Sequence, residues 1–173
     1  PPPSSTTPTT PTPTDPRFSI GDGFNNTVLA SDWTEDGKII CAGNFRTYDR
    51  KSVNFIVRLN ADGSLDNSFT APKDINSLIR DIVIQSDGKI ILIGTAFGNF
   101  IAIKLSGFGV LDKNFGTSGV ATTDFGGNDI ALSGSIQQDG KLLIAGSSSW
   151  GTPSSDLALV RLLVNGNTDT SFG

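Results

Sequence analysis

The chain has 173 residues, a formal net charge of −4 and no histidine. The acidic balance argues against a nucleic-acid partner, which needs a basic surface to displace counterions, and no apolar run approaches the roughly 18 residues of a membrane span. The absence of histidine removes the usual general base near neutral pH and the usual zinc ligand. We therefore expect no metal site, no cofactor, no catalytic residue, and neither nucleic acid nor membrane as a partner.

The first segment, residues 1–14, contains only proline, serine and threonine. Such a segment has no apolar surface to bury and favours an extended polyproline II conformation, so it is predicted to be a disordered linker. Proline–threonine runs are typical between modules of secreted, surface-attached or virion proteins. We therefore expect an extracellular, cell-surface or virion location. An alternative is that the segment is a ligand for a proline-binding domain.

Two motifs recur through the rest of the chain, residues 15–173. An Asp-Gly-Lys sequence followed by an apolar run and a glycine occurs three times, beginning at Asp36, Asp87 and Asp139. An Asp-x-x-Phe motif occurs four times, beginning at Asp15, Asp66, Asp112 and Asp169. A period of about 50 residues indicates an array of like structural units, such as a propeller or a solenoid. The repeats are predicted at about 15–66, 66–112 and 112–173.

Each period is predicted to form four short strands. A first strand leads into Asp-Gly, which favours a type I′ hairpin turn, and the second strand is the apolar run. The third strand ends with a basic residue and a leucine, and a second turn leads to a short fourth strand that runs into Asp-x-x-Phe. The first three strands are predicted at 28–33, 38–42 and 54–59, at 79–84, 89–93 and 100–105, and at 132–136, 141–145 and 157–162. This pattern predicts an all-β fold of three four-stranded β-propeller blades.

These motifs resemble a known repeat family. The sequence Asp-Gly-Lys-Ile at 36–39 and the sequence Arg-Leu-Asn-Ala-Asp-Gly-Ser-Leu-Asp-x-x-Phe at 58–69 are similar to the delta-60 repeat of bacterial and phage-associated surface proteins. The first copy matches best, and the other two copies are degenerate at 104–112 and 161–169. The resemblance implies a β-propeller within a large, exposed, repetitive protein. It implies no catalytic residue.

Three blades are fewer than the roughly four to eight of closed propellers. They are expected to leave an apolar sheet face at each end, and such patches rarely persist on a soluble monomer. The chain is therefore predicted to be part of a larger propeller or to associate with copies of itself, as two chains with six blades or as three chains around one axis. The expected partners are copies of the chain or further propeller repeats.

Two variable loops at the same phase, 45–53 and 147–156, are predicted to emerge at the same end of the propeller. Loops on a rigid scaffold often carry binding sites, and exposed tyrosine, tryptophan and arginine dominate binding energies. We therefore name Arg46, Tyr48, Arg50 and Trp150 as candidate ligand-binding residues for a glycan or protein receptor. The alternative is loop variation without a ligand.

Other conspicuous residues have structural interpretations. Asn60, Asp62 and Asp66 are spaced superficially like a calcium loop, but a turn explains them without a metal. In Asp-x-x-Phe we expect the aspartate to accept backbone N–H groups and the phenylalanine to fill the gap between blades. By alignment with aliphatic residues of the other copies, Trp33 is predicted to lie in the core and Cys41 to be a small buried apolar residue.

These observations favour a non-catalytic β-propeller module of an extracellular or virion surface protein. Its role would be assembly and spacing, or contact with a receptor or glycan. The alternative is a fragment of a propeller enzyme acting on carbohydrate or a related small molecule. Acidic residues repeated once per blade would be too far apart for the carboxylate pair of a glycosidase, so the non-catalytic interpretation is preferred.

Overall fold

A computed structural model describes residues 18–73, 75, 77–151 and 154–172. The linker predicted at 1–14 lies outside these residues. The described part of the chain contains twelve strands and no helix, which confirms the predicted all-β class. Accordingly, none of it forms a helix long and apolar enough to cross a membrane.

The strands form three main antiparallel sheets and a small ribbon. Sheet one has the order β1-β2-β5, sheet two β6-β7-β8-β9, sheet three β10-β11-β12, and the ribbon β3-β4. The strands are β1 Val28–Trp33, β2 Ile39–Gly43, β3 Thr47–Tyr48, β4 Lys51–Ser52, β5 Ile56–Leu59, β6 Leu78–Ile84, β7 Ile90–Ala96, β8 Asn99–Leu105, β9 Val120–Thr123, β10 Asn128–Ile136, β11 Leu142–Ser149 and β12 Asp156–Leu162.

The Asp-Gly motifs form hairpin turns, but not of the predicted type. In the first, the N–H of Thr34 donates to the carbonyl of Lys38, and the N–H of Gly37 donates to the carbonyl of Thr34, both at 2.9 Å. Gly37 has a φ of 77°, whereas Asp36 has no positive φ. This is a three-residue connection that ends in a left-handed glycine, in place of the two-residue type I′ turn. The other two copies and all three second turns repeat these hydrogen bonds.

The expectation of four strands in every blade is met only by sheet two within the described residues. The short fourth strand expected before each Asp-x-x-Phe is a single β-bridge in all three copies, at Leu65, Leu111 and Thr168. The physical reason is that the Asp-x-x-Phe turn starts at the very next residue and ends the pairing. In sheet two the fourth strand, β9, follows this turn instead of preceding it.

Sheet two is packed on both faces, which explains why β7 is apolar at consecutive positions. Ile90 and Leu92 point toward sheet one and join an apolar cluster with it. Ile91 and Ile93 point the other way and pack against sheet three. We call the face that points toward the following sheet the forward face and the opposite one the backward face. Each observed interface joins a forward face to a backward face.

The two end sheets differ from each other. The backward face of sheet one is covered by the loop that follows β2, where Phe45 and Tyr48 pack on it together with Phe24. The prediction that both ends expose apolar sheet faces is therefore wrong for the part of sheet one that this loop covers. This cover also buries Cys41, as predicted, and burial raises the pKa of its thiol to about 11. The forward face of sheet three stays exposed.

The prediction that Trp33 lies in the core is wrong, because 66% of its surface is exposed. Its counterparts Ile84 and Ile136 pack toward the sheet that precedes their own. No sheet precedes sheet one among the described residues, so Trp33 has none to pack against.

Successive repeats are joined by one recurring contact. After the first three Asp-x-x-Phe motifs, the residue that follows the phenylalanine donates its N–H to a second turn, that of the repeat which begins there. These bonds run from Ser19 to the carbonyl of Asp62, from Thr70 to that of Phe108 and from Gly116 to that of Asn165, at 2.9, 2.9 and 2.7 Å. The Phe69 and Phe115 rings lie against Gly109 and Gly166 of those turns, where a Cβ would be only 3.0 Å from ring atoms. The predicted role of phenylalanine between repeats is thus confirmed at these two positions.

Candidate functional site

Each repeat contains a charged cluster at the end where the Asp-Gly turns lie. In the first, Lys38 Nζ and Arg58 Nε donate to one carboxylate oxygen of Asp66 at 2.7 and 2.8 Å. The other oxygen accepts from the backbone and hydroxyl of Ser68. The guanidinium of Arg58 also donates to the carbonyl of Gly107 in the next repeat. The cluster therefore joins two strands, one turn and the neighbouring repeat.

The same cluster recurs with small differences. Asp169 pairs with Lys141 at 3.3 Å and with Arg161 at 2.8 Å, and Asp112 pairs with Lys89 at 3.4 Å. This confirms that the aspartate accepts backbone N–H groups in a turn, because Ser68, Asn114 and Ser171 each donate one. Sequence analysis missed the lysine partner, although a lysine follows Asp-Gly in all three copies.

These environments favour the ionised carboxylates. Burial alone would raise the pKa of Asp66, but the hydrogen bonds from Lys38, Ser68 and Arg58 outweigh it and hold that pKa far below its usual value. For Asp169 the hydrogen bond from Ser171 has the largest effect and lowers the pKa in the same direction. A carboxylate with such a low pKa is a poor general base or acid at neutral pH. Asp66 is also fully engaged, which does not support calcium binding in the first copy.

Tyr48, predicted to be an exposed binding residue, is only 1% exposed. Its ring packs against Phe24 with centroids 4.7 Å apart, and its hydroxyl donates to the carbonyl of Gly63. The reason is that the ribbon β3-β4 folds back onto sheet one and carries Tyr48 into the cluster that covers the backward face. Tyr48 is therefore a core residue, and its assignment to a binding surface is corrected.

Arg46 and Arg50 stay at the surface on the same ribbon. The guanidinium carbon of Arg46 lies 3.6 Å from the ring centroid of Phe55, a cation–π contact. Arg50 forms an ion pair with Asp22, and this hydrogen bond raises the pKa of Arg50. Both arginines thus have intramolecular partners, and ligand binding by either stays a prediction.

Trp150 is exposed as predicted, with 65% of it accessible, directly after the end of β11. Its ring lies over the connection between β9 and β10, where a Cβ on Gly126 would be 3.9 Å away. In that connection the N–H of Phe125 donates to the buried carboxylate of Asp129 at 2.8 Å, which fixes its course. Trp150 is therefore an exposed aromatic side chain on an ordered support.

A second exposed aromatic residue, Phe97, was not singled out from the sequence. It lies at the tip of the turn between β7 and β8, is 94% exposed and has a φ of 51°. A positive φ is unusual for a bulky residue and is often associated with function. The following Gly98 accepts a hydrogen bond from the N–H of Asp129, so this turn contacts the connection that supports Trp150. The sequence signal that could have predicted an exposed Phe97 is the Phe-Gly dipeptide at the tip of a hairpin.

We define the loop-end patch as Phe97, Asp124, Asn128 and Trp150, all exposed around this one connection. Arg46 and Arg50 belong to the ribbon that packs on sheet one, and sheet two packs between sheets one and three. The structure therefore does not bring the four predicted residues into one site. Trp150 lies over the connection that the Phe97–Gly98 turn also contacts, while the two arginines lie on the ribbon.

The recurring turns, antiparallel sheets and inter-sheet packing define a protein built from propeller-type repeats. Two segments, residues 34–69 and 137–172, match the family model described as a domain of unknown function (DUF5122) beta-propeller. Each matched segment extends from the first turn of a repeat to its Asp-x-x-Phe motif. None of the curated proteins matches the chain.

Proposed function

We propose that this chain is a non-catalytic β-propeller module of an extracellular or virion surface protein, and that it binds a glycan at the loop-end patch. The observation that carries the proposal is Trp150, a large aromatic side chain exposed at the end of an ordered sheet. Exposed aromatic residues on rigid scaffolds are typical binding anchors. The delta-60 resemblance and the proline–threonine segment support the surface location.

The chemistry of the patch suits a sugar ring. An indole has a flat apolar face that can pack against the C–H groups of a pyranose. Asp124 and Asn128 are exposed beside it and offer oxygen acceptors and an amide donor for hydroxyl groups. Phe97 supplies a second apolar surface at the same end. The net charge of −4 favours a neutral or basic ligand over an acidic one.

The alternative, a propeller enzyme acting on carbohydrate, has less support. Glycoside hydrolysis usually needs two carboxyl groups within about 5–10 Å, one of them with a raised pKa. The three recurring aspartates have lowered pKa values and are paired with lysine. They belong to three different repeats. We therefore favour binding without catalysis.

Binding to an immobilised glycan panel, followed by titration of any hit, tests the proposal. We expect Trp150→Ala to weaken binding at least tenfold, because the stacking surface is lost. Trp33→Ala is the matched control: Trp33 is equally exposed but lies at the opposite end of its sheet, beside the Asp-Gly turn. Phe97→Ala is expected to weaken binding by a smaller factor. Circular dichroism of each variant verifies folding.

Two results would contradict the proposal. One is a folded wild-type protein that binds no glycan on a broad panel. The other is a hit whose affinity falls equally in the Trp150→Ala and Trp33→Ala variants, since this would indicate nonspecific adsorption on exposed aromatic residues.

A further inference from the structure

A hollow of about 370 Å³ lies on the backward face of sheet two. Sheet one ends at β5, whereas sheet two continues from β8 to β9, so this face extends past sheet one. Ile101 and Ile103 of β8 line the hollow together with Val120 of β9. Ile75, in the connection between β5 and β6, lines it from the other side. The hollow therefore lies between this connection and the outer strands of sheet two.

The lining of the hollow changes from polar to apolar along β8. At the loop end the hollow is lined by Asn99 and by Thr122 of β9. Farther along, Val120 lies opposite Ile103, and Leu111 lines the end near the second turn. Among the described residues that line the hollow, none is charged. A ligand that matches this lining is uncharged, with polar groups at the loop end and an apolar part beyond them.

The hollow adjoins the loop-end patch. Phe97 belongs to the patch and also lines the hollow. On the other side of the hollow, Thr122 lies two residues before Asp124, which is in the patch. Asp124 begins the connection between β9 and β10 over which the Trp150 ring lies. A ligand bound at the patch is therefore next to the polar end of the hollow.

We propose that the hollow binds the unbranched alkyl aglycone of a neutral glycoside whose sugar ring lies at the loop-end patch. The strand from Asn99 to Ile103 spans about 13 Å, at roughly 3.3 Å per residue, which suits an extended chain better than a compact group. A free sugar would leave the aliphatic end of the hollow without an apolar partner, and a plain hydrocarbon would form no hydrogen bond with Asn99 or Thr122. The inference rests on the proposed glycan binding and adds the class of the glycan.

Fluorescence of N-phenyl-1-naphthylamine tests the hollow itself, because this neutral probe emits strongly only in apolar surroundings. With the full chain we expect one saturable site. Thr122→Trp should weaken probe binding at least tenfold, because Thr122 is exposed and the larger ring fills the hollow without displacing a core side chain. Ala96→Phe fills the hollow from the end of β7 and should have the same effect. Leu157→Ser is the matched control, since Leu157 is 83% exposed on the forward face of sheet three.

Alkyl glycosides of the sugar that binds best on the glycan panel test the aglycone. Below the concentration of micelle formation, we expect the octyl glycoside to bind the wild type at least tenfold more tightly than the methyl glycoside, because its methylene groups are buried. Thr122→Trp should abolish this gain and leave the affinity for the methyl glycoside unchanged. Trp150→Ala should weaken the binding of both glycosides by a similar factor. Circular dichroism verifies that each variant is folded.

Four outcomes would overturn the inference. The first is no saturable probe binding, which would mean that the chain itself fills the hollow in solution. The second is an equal loss of probe binding in Thr122→Trp and Leu157→Ser, which would place the probe on exposed apolar surface. The third is equal affinity for the octyl and methyl glycosides, which would refute the alkyl aglycone and leave glycan binding at the patch intact. The fourth is probe binding in the hollow without any glycan hit, which would refute the glycan proposal and the aglycone with it.

Discussion

Replacement of Asp66 by asparagine should destabilise the fold more than the same change in the second repeat. Asp66→Asn keeps the shape of the side chain but removes the charge that balances Lys38 and Arg58. The Arg58 side chain is only 7% exposed and the Asp66 side chain 8%. The variant therefore leaves a buried guanidinium without its carboxylate. Asp112→Asn removes the corresponding charge where the direct partner, Lys89, is 41% exposed. The buried counterpart of Arg58, Lys104, interacts with Asp112 only through a longer-range Coulombic attraction.

The expected magnitudes follow from the different exposure of the direct ion-pair partners. Breaking a buried ion pair by removal of one partner costs about 3–5 kcal/mol, whereas exposed pairs contribute about 0–1 kcal/mol. Lys38 keeps 26% of its side chain exposed and can be hydrated after the change, so the lower end of the buried range applies. We expect Asp66→Asn to lower the free energy of unfolding by about 3 kcal/mol and Asp112→Asn by about 1 kcal/mol.

Urea denaturation followed by circular dichroism measures both changes as shifts of the midpoint at constant slope. The control is the pair Asp66→Asn with Arg58→Met. Because the unpaired charge is then absent, the double variant should lose less stability than the sum of the two single variants. Equal losses for Asp66→Asn and Asp112→Asn would refute the reasoning, since burial of the direct ion pair would then not govern the cost.

Two further outcomes are expected. Because the folded-state pKa of Asp66 is lowered, its stabilisation is present above the unfolded value of about 4 and is lost as the pH falls through the folded value. Acidification below about pH 4 should therefore destabilise the wild type more than Asp66→Asn in thermal melts, and parallel curves would contradict this. Gly94→Ala should cost about 3 kcal/mol or more, because the new Cβ would lie 2.1 Å from the carbonyl oxygen of Leu78. Gly88→Ala meets no atom within 4 Å and should cost only the strain of its positive φ, about 1–2 kcal/mol, so equal midpoints for the two variants would argue against the register of β6 and β7.

The regular part of the fold could be predicted from the sequence because its signals are local. Asp-Gly marks a hairpin wherever it occurs between apolar strands, and the consecutive apolar residues of β7 indicate a sheet covered on both faces. The turn type was wrong because both a two-residue and a three-residue connection place glycine at positive φ. The contact between Lys38 and Asp66 was missed because 28 residues separate them.

The candidate site was harder to predict. Alignment between repeats does not predict the burial of a residue when its own repeat has no neighbouring sheet at that position. Trp33 aligns with partly buried isoleucines but has no preceding sheet to pack against. Tyr48 lies in a loop that the second copy lacks, and in the third copy the residues at the same phase extend β11 and β12. The return of Tyr48 to sheet one therefore has no precedent in the other repeats. Trp150 was predicted correctly to be exposed because it lies in the variable loop 147–156. Phe97 was missed because its short turn was interpreted only as a connection between two strands.

The hydrogen bonds that lead from the Asp-x-x-Phe motifs at Asp66 and Asp112 to the second turn of the following repeat link the stability of neighbouring repeats. The N–H of Thr70 donates to the carbonyl of Phe108, and the N–H of Gly116 donates to the carbonyl of Asn165. Each repeat is therefore stabilised in part by hydrogen bonds to the repeat beside it. Arrays with such nearest-neighbour coupling unfold from their ends, where one coupling is lost instead of two. Amide protons of β7 in the middle sheet should therefore exchange last, and those of β12 at the edge of sheet three should exchange early.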